Sequence, residues 1–505
     1  MYRPLPDKGR LPYALYRAEQ VRELDRCAIE DHGIPGEVLM ERAGSAAYRL
    51  LRERWPEAGD ITVLCGVGNN GGDGYVVARL ALADGMAVRV LLLGDPQKIR
   101  GDALTMLQRY RGAGGEPLPF QGLPRRTDVI VDAVLGTGLE REVSGAWAAA
   151  LDAVNRHPAP VLAIDIPSGL HSDSGRILGT AVQADATISF IGLKQGLFTG
   201  QGPDCRGEVR FAALEVPAVI YSREILAARR IDWPQQAAFL QPRRRSAHKG
   251  DFGHVLVLGG APGYAGAALM AAEAALRCGA GLVSLATHPR HAALMSPARP
   301  ELMCRGVDAA ADLQPLLERA TVVAVGPGLG RSDWARTLLE RVLESDLPLV
   351  VDADALNLLA GTGRKRDSWV LTPHPGEAGR LLGVATAEIQ RDRFAAVHRL
   401  GQVYGGTAVL KGAGTLVQGG SGKPPAVCSD GNPGMASGGM GDLLSGLIAG
   451  CIAQGLAPEE AACMAVSLHG AAGDAAAGAG GERGMLASDL LPWFRTLLNP
   501  EVAAC

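Results

Sequence analysis

Asn69-Asn70-Gly71-Gly72-Asp73-Gly74 sets two amides and a carboxylate among glycines, directly after the apolar run Ile61–Cys65. Glycine lets a ligand approach the backbone N–H groups at a helix N-terminus, which suits phosphate. Asparagine carbonyls and a carboxylate are hard oxygen donors, which suit a cation. The wider stretch Gly66-Val67-Gly68-Asn69-Asn70-Gly71 fits G-x-G-x-x-G, and Asp95 stands after the next apolar run, where a ribose-binding acid would stand. Alone that is a weak dinucleotide fingerprint; the competing explanation is a tight turn that needs glycine only for positive φ. Two further strand ends carry matching chemistry: Asp132 before the nest Gly136-Thr137-Gly138-Leu139, and Asp165-Ile166-Pro167-Ser168-Gly169. A single aspartate at such a place is more often a helix cap. Three on one sheet point to a shared pocket.

A second constellation lies in the C-terminal half. Gly438-Gly439-Met440-Gly441-Asp442 leads into the helix-like stretch Leu443–Ala449. Successive N–H groups at a helix start make an anion hole for a transferring phosphoryl group, and a carboxylate there can deprotonate an attacking hydroxyl. The alternative is an acidic residue that merely stabilises the first turn. Lys411-Gly412-Ala413-Gly414-Thr415 follows a strand and suits a nucleotide, while Thr372-Pro373-His374-Pro375-Gly376-Glu377 brings an imidazole and a carboxylate together. Taken alone, His374 reads as structural. Gly422-Lys423 is not a Walker loop, because Val417 stands where glycine is required and Pro424 where Ser or Thr is required.

The elements that must position these groups are legible in the glycines. The chain has 67 of them in 505 residues, clustered after short apolar runs such as Val161–Ile166, Val255–Leu258, Val322–Val325 and Val409–Leu410. Apolar strands ending in glycine and alternating with helix-period stretches predict parallel α/β sheets, with ligands at the carboxyl ends of the strands. A single core stops growing near about 250–300 residues, so the chain should divide. The style lapses after Pro217, through Trp233 to the basic run Arg243–Arg245, and resumes at Val255. We expect one domain at 1–217, a linker at 218–239 and a second domain at 240–505.

Composition narrows the class. With 47% hydrophobic and 20% charged residues the chain is globular, and a formal charge of −3 leaves no footprint for nucleic acid or an anionic membrane. No apolar run approaches the roughly 20 residues of a membrane span. Met1–Arg10 lacks the apolar core of a leader, and Cys505, as the last residue, forms no prenylation box. Nine scattered cysteines without a C-x-x-C pair read as reduced thiols. These features predict a soluble cytoplasmic enzyme.

Together, the segment from Gln20 to Gly44 with GIPGEVLMERAG, then GNNGGDG, DAVLGTGL, DIPSGL and FIGLKQGLFTG closely resemble NAD(P)H-hydrate epimerase across essentially the whole first domain. The resemblance implies a Rossmann-like three-layer fold. It implies that a hydrated nicotinamide dinucleotide is held by Asn69, Asn70, Gly71, Gly72, Asp73, Gly136, Thr137, Gly138, Leu139, Glu140, Arg141, Glu142 and Asp165. It also implies a potassium ion on Asn70, Asp132 and Ser168. We hold Asp165 responsible for the chemistry, because epimerisation at C6 passes through a planar carbon and needs both proton transfer and charge stabilisation.

From about Ser246 the chain resembles the ribokinase-like class, and HKGDFG, GPGLG, DADALN, TPHPGE, KGAGT, GGMGD and LHGAAGD resemble its NAD(P)H-hydrate dehydratase branch. That implies ADP or AMP on Lys411, Gly412, Ala413, Gly414, Thr415 and Gly441. It implies the hydrated dinucleotide on Gly266, Ala267, Gly328, His374 and Asp442, with Asp442 catalytic. Glu377 matches a metal-orienting glutamate, which implies Mg2+, and His469 is expected to be structural. Met440 stands where the branch is expected to carry threonine. The two halves then form one metabolite-repair enzyme acting on hydrated NADH and NADPH, expected as a homo-oligomer. The competing function is a ribokinase-like kinase for a small alcohol, with a non-catalytic ligand-binding or scaffold domain in front.

Overall fold

The computed structural model describes residues 11–420 and 422–499. The expectations for Met1–Arg10 and Cys505 lie outside the described residues. Contacts within the chain separate two compact units at Arg229/Arg230. Between 218 and 239 the chain carries a short 3-10 turn at Ala218–Arg223, a strand at Ala228–Ile231 and a helix at Trp233–Ala237. Ile220 packs into the core of the first unit, and Ile231 and Trp233 into that of the second.

The first unit holds a seven-stranded sheet in the spatial order Leu118–Pro119, Ala87–Leu92, Asp60–Cys65, Val129–Ala133, Val161–Ile164, Ala186–Phe190, Glu208–Ala212. Every neighbouring pair is parallel. Alternate residues feed different layers, as a period of two requires. Ile61, Val63, Val129 and Val131 pack with helices Gly36–Arg54, Asn69–Ala83 and Gly101–Gly112, whereas Leu64 and Ile130 pack with Gly145–Arg156. This is a three-layer α/β unit. The strand order reverses between Asp60–Cys65 and Val129–Ala133, which sets a crevice at their carboxyl ends. The NNGGD, GTG and DIPSG loops therefore emerge from three adjacent strands.

The second unit orders its strands Met303–Gly306, Leu282–Thr287, His254–Leu258, Val322–Val325, Leu349–Val351, Trp369–Leu371, Thr407–Leu410, Leu416–Gln418, Ala426–Cys428. Pairing is parallel as far as Thr407–Leu410 and antiparallel for the last two strands. Helices Ala265–Cys278, Met440–Ala453 and Pro458–Gly480 build the largest core over this sheet. Small residues set their spacing: a Cβ on Gly446 would stand 2.0 Å from the Ala271 carbonyl oxygen. Among the described residues no helix is long and apolar enough to cross a membrane.

Two candidate active sites

In the first unit Gly68 is extended and the helix begins at Asn69, so the NNGGD sequence occupies the first turn. Gly71 and Gly72 are buried there for packing reasons: a Cβ on Gly71 would strike the Gly66 carbonyl at 2.1 Å, and one on Gly72 the Met40 sulfur at 2.4 Å. Asn69, Asn70 and Asp73 line a cleft of about 690 Å³, together with Gly136, Thr137, Gly138, Leu139, Glu140, Arg141 and Asp165. Glu142 is exposed and is not among the residues that line it.

Beneath the cleft, Asp132 is 1% exposed. Its carboxylate accepts hydrogen bonds from the Ser168 hydroxyl at 2.6 Å and the Ser168 N–H at 2.8 Å. Burial pushes its pKa up to about 6 against those bonds, and none of the opposing donors is a cation. Asn70 is buried, and neither its amide oxygen nor its amide nitrogen has a hydrogen-bond partner. A Cβ on Gly136 would sit 3.5 Å from the Asn70 Cβ and 3.6 Å from Asp165 Oδ2, so these residues face one another across the GTG loop. An unsatisfied amide and a buried carboxylate with a hydroxyl partner fit a monovalent cation, since such groups are costly when left unpaired.

Asp165 has φ +69, unusual for a residue with a side chain. That conformation costs about 1–3 kcal/mol and is characteristic of functional bends. It follows strand Val161–Ile164, and its own N–H is held by the Ile188 carbonyl at 2.7 Å. Its carboxylate pairs with Lys194, which is 0% exposed and also donates to Ser189 Oγ at 3.1 Å and Phe190 O at 3.2 Å. Asp73 and Asp25 complete the acidic wall: burial first, and then the neighbouring carboxylates, raise Asp73 well above the usual range. Burial and Asp165 likewise take Asp25 to about 6.

In the second unit the centre is a buried ionic cluster. Asp352, 1% exposed, accepts from Lys411 Nζ at 2.8 Å and from Ser445 Oγ at 2.7 Å. Lys411 Nζ lies 3.9 Å from Glu377 Oε2, and His374 Nε2 lies 3.4 Å from Glu377 Oε1. Nδ1 of His374 accepts the N–H groups of Gly376 and Glu377, which caps helix Pro375–Leu382. Burial opposes the charge on Lys411, but Asp352 and Glu377 raise its pKa. Gly439 turns in the left-handed region to start helix Met440–Ala453, and a Cβ on Gly441 would stand 3.1 Å from Lys411 Nζ. The GGMGD loop thus abuts the ammonium. Burial and then Asp352 push Asp442 up to about 7, with Lys411 opposing.

The KGAGT loop rests on a buried guanidinium: Arg393 Nη2 donates to the carbonyls of Leu410, Lys411 and Gly414 at 3.2–3.5 Å. Thr415 Oγ1 closes the loop on Gly412 O at 3.0 Å, around Ala413. Gly266 and Ala267 open helix Ala265–Cys278, and a Cβ on Gly328 would lie 3.2 Å from the Ala267 Cβ. A Cβ on Gly439 would meet Met270 of that same helix at 2.7 Å, so these loops share one end of the sheet. Met440 is buried in the apolar core, and its side chain supplies no polar group. His469 is buried, with its pKa lowered to about 4 by burial and Lys411, and its Nε2 has no partner.

Four functional candidates are not singled out by the motif reading, although the first three lie within quoted motif segments: Asp25, Lys194, Asp352 and Arg393. Each left a signal. Asp25 shares a face of Ala18–Arg26 with buried Val21, and Lys194 is a lone cation in the buried run Phe190–Phe198. Asp352 stands at the end of strand Leu349–Val351. Arg393 opens a helix, and nothing in its local sequence marks it as buried.

Comparison with known proteins matches this architecture. A family model described as NAD(P)H-hydrate dehydratase covers residues 255–494, and one described as YjeF-related protein N-terminus covers residues 36–196. The bifunctional NAD(P)H-hydrate repair enzyme Nnr of Coxiella burnetii is 50% identical over 487 residues, spanning 96% of this chain and 99% of that protein. Its Escherichia coli counterpart is 45% identical over 495 residues, spanning 97% and 95%. A solved ribokinase-like superfamily protein from Enterococcus faecalis, 29% identical, superposes with a TM-score of 0.51 over 55% of this chain and 97% of its own. With both domain families present, and with this identity over nearly the full length of the relatives, the chain belongs to the bifunctional NAD(P)H-hydrate repair enzymes.

Proposed function

We propose that the first unit interconverts the R and S hydrates of NADH and NADPH, and that the second dehydrates the S hydrate at the expense of ADP, giving AMP and phosphate. Hydroxide is a poor leaving group from C6, and phosphate is a much better one. Asp442 takes the proton from that hydroxyl as it attacks the phosphoryl group, and its raised pKa near 7 suits a base working at neutral pH. The N–H groups of Gly439–Gly441 and the Lys411 ammonium stabilise the transferring charge. Ring nitrogen then expels phosphate and restores the reduced nicotinamide. Lys411, Gly412, Ala413, Gly414, Thr415 and Gly441 hold the nucleotide; Gly266, Ala267, Gly328 and His374 hold the hydrate.

Among the described residues no three acidic, imidazole or thiol side chains form a metal cluster. Glu377 would orient Mg2+ beside the nucleotide, where the ion would neutralise phosphate charge. In the first unit a potassium ion on Asn70, Asp132 and Ser168 offsets buried negative charge beside the dinucleotide. The enzyme works in the cytoplasm, as a homo-oligomer.

The observation that carries this function is the Asp352–Lys411–Glu377 cluster set against the GGMGD helix start, which supports phosphoryl transfer with Asp442 as the base. The test is incubation with S hydrate and Mg2+ plus ADP, ATP or no nucleotide. Reduced-nicotinamide absorbance and free phosphate should rise together and depend on ADP. A stable phosphorylated dinucleotide would instead indicate an ordinary kinase.

A further inference from the structure

Arg393 is the first residue of helix Arg393–Tyr404, and it is 1% exposed. The helix gains nothing from it. Asp392 already caps the start by accepting the Ala395 N–H at 2.9 Å, and the helix dipole disfavours a cation there. A buried charge is costly unless it is bonded, and the bonds of this one go to the KGAGT loop. We propose that Arg393 is a positioning residue of the nucleotide site: it turns the loop so that the Gly412 and Thr415 N–H groups face the nucleotide, and it thereby sets the affinity for ADP and not that for the hydrate. This rests on the dehydratase function proposed above, with the nucleotide on that loop.

Arg393 Nη2 lies 3.2 Å from the Leu410 carbonyl oxygen, 3.3 Å from that of Lys411 and 3.5 Å from that of Gly414. Its Nη1 donates to Gln390 Oε1 at 3.0 Å, which fixes the plane of the fork. Burial lowers the guanidinium pKa to about 10, which still leaves it charged at neutral pH. In a planar trans peptide the carbonyl and the following N–H point opposite ways. With the Lys411 and Gly414 carbonyls drawn to Arg393, the Gly412 and Thr415 N–H groups face the other side of the loop. Neither has an acceptor among the described residues. Paired main-chain donors of this kind suit a phosphate oxygen.

The residue types fit this role. Gly412 has φ +132 and Gly414 φ +62, conformations that a side chain disfavours. A Cβ on Gly412 would stand 3.1 Å from Arg393 Nη1, so the backbone of the bend lies against the fork. Lys411 has anchors of its own: its N–H donates to Pro373 O at 2.9 Å and its ammonium to Asp352 at 2.8 Å. The ammonium is therefore fixed without Arg393, whereas the orientation of the peptides that follow it depends on Arg393. The residues proposed to hold the hydrate, Gly266, Ala267, Gly328 and His374, belong to other loops.

The test measures dehydration of the S hydrate by the full chain, with ADP and hydrate varied separately, beside a calorimetric titration with ADP. Arg393→Met keeps the apolar stem and removes every donor. Its KM and Kd for ADP should rise about 30–100-fold, with KM for the hydrate within about threefold. Arg393→Lys keeps the charge without the fork and should weaken ADP by about tenfold. A merely structural arginine would lower the melting temperature of the second unit and leave both KM values unchanged. ADP affinity within about threefold of the wild type in folded Arg393→Met would overturn the assignment, and so would a parallel rise in both KM values. If Arg393→Met does not fold, the ADP affinity of Arg393→Lys decides by the same threshold; if neither variant folds, Arg393 is structural and the assignment falls. Dehydration by the wild type at full rate without nucleotide would instead remove the ADP-dependent dehydratase function itself.

Discussion

Lys411 Nζ stands 2.8 Å from Asp352 Oδ1, and the same ammonium lies 3.1 Å from where a side chain on Gly441 would begin. One buried cation is thus fixed by a strand-end aspartate and presented to the start of the helix that carries Asp442. A Cβ at 441 would sit close enough to the Lys411 ammonium that the ammonium would have to give by a few tenths of an ångström.

Asp442→Asn removes the base while keeping the shape. Dehydration should fall by about 10²–10⁴ with epimerisation unchanged, measured by absorbance and chromatography on one preparation. In the wild type, kcat/KM for dehydration should rise with pH through about 7, because a base must lose its proton to act. Below that point it should drop roughly tenfold per pH unit.

Asp132→Ala should abolish the potassium dependence of epimerisation and most of its rate, with dehydration unaffected. Its carboxylate takes two hydrogen bonds from Ser168, so the variant also frees that hydroxyl. Rates in sodium and potassium buffers, matched in ionic strength, check this.

Lys194→Met leaves Asp165 as a carboxylate without its cation. Breaking a buried pair from one side costs about 3–5 kcal/mol. The first unit should therefore melt earlier and epimerise poorly, while dehydration of the S hydrate persists. Calorimetry with two resolved transitions measures the first part.

The fold was largely legible because it is repetitive: apolar strands ending in glycine announce a parallel sheet, and the switch point follows from the topology. The glycine loops at the strand ends were legible for the same reason. What escaped is the layer behind them. Arg393 supports the KGAGT loop from the start of the preceding helix, 17 residues before Leu410, and Lys194 supports Asp165 from beyond the next strand. Such partners are set by tertiary packing, and a local pattern carries no trace of distance.

The interval between 217 and 240 shows the same limit. Its composition suggests a linker, yet Arg230 bonds to Asp232 at 2.7 Å and Ser429 at 3.0 Å, and the Trp233 N–H bonds to Asp430 at 2.6 Å. A chain starting at Arg230 should fold and dehydrate one epimer, whereas a chain starting at Gln241 should be markedly less stable. Losing a buried tryptophan alone costs about 3–5 kcal/mol. Equal melting temperatures for the two truncations would contradict this.

The division of labour between the two sites is tested most directly by Asp165→Asn given mixed hydrate epimers, Mg2+ and ADP, with reduced nicotinamide and both epimers followed over time. The wild type should consume both epimers; the variant should consume the S hydrate at the wild-type rate and leave the R hydrate to decline only as fast as it epimerises without enzyme. Consumption of the R hydrate by Asp165→Asn at the wild-type rate would contradict the account.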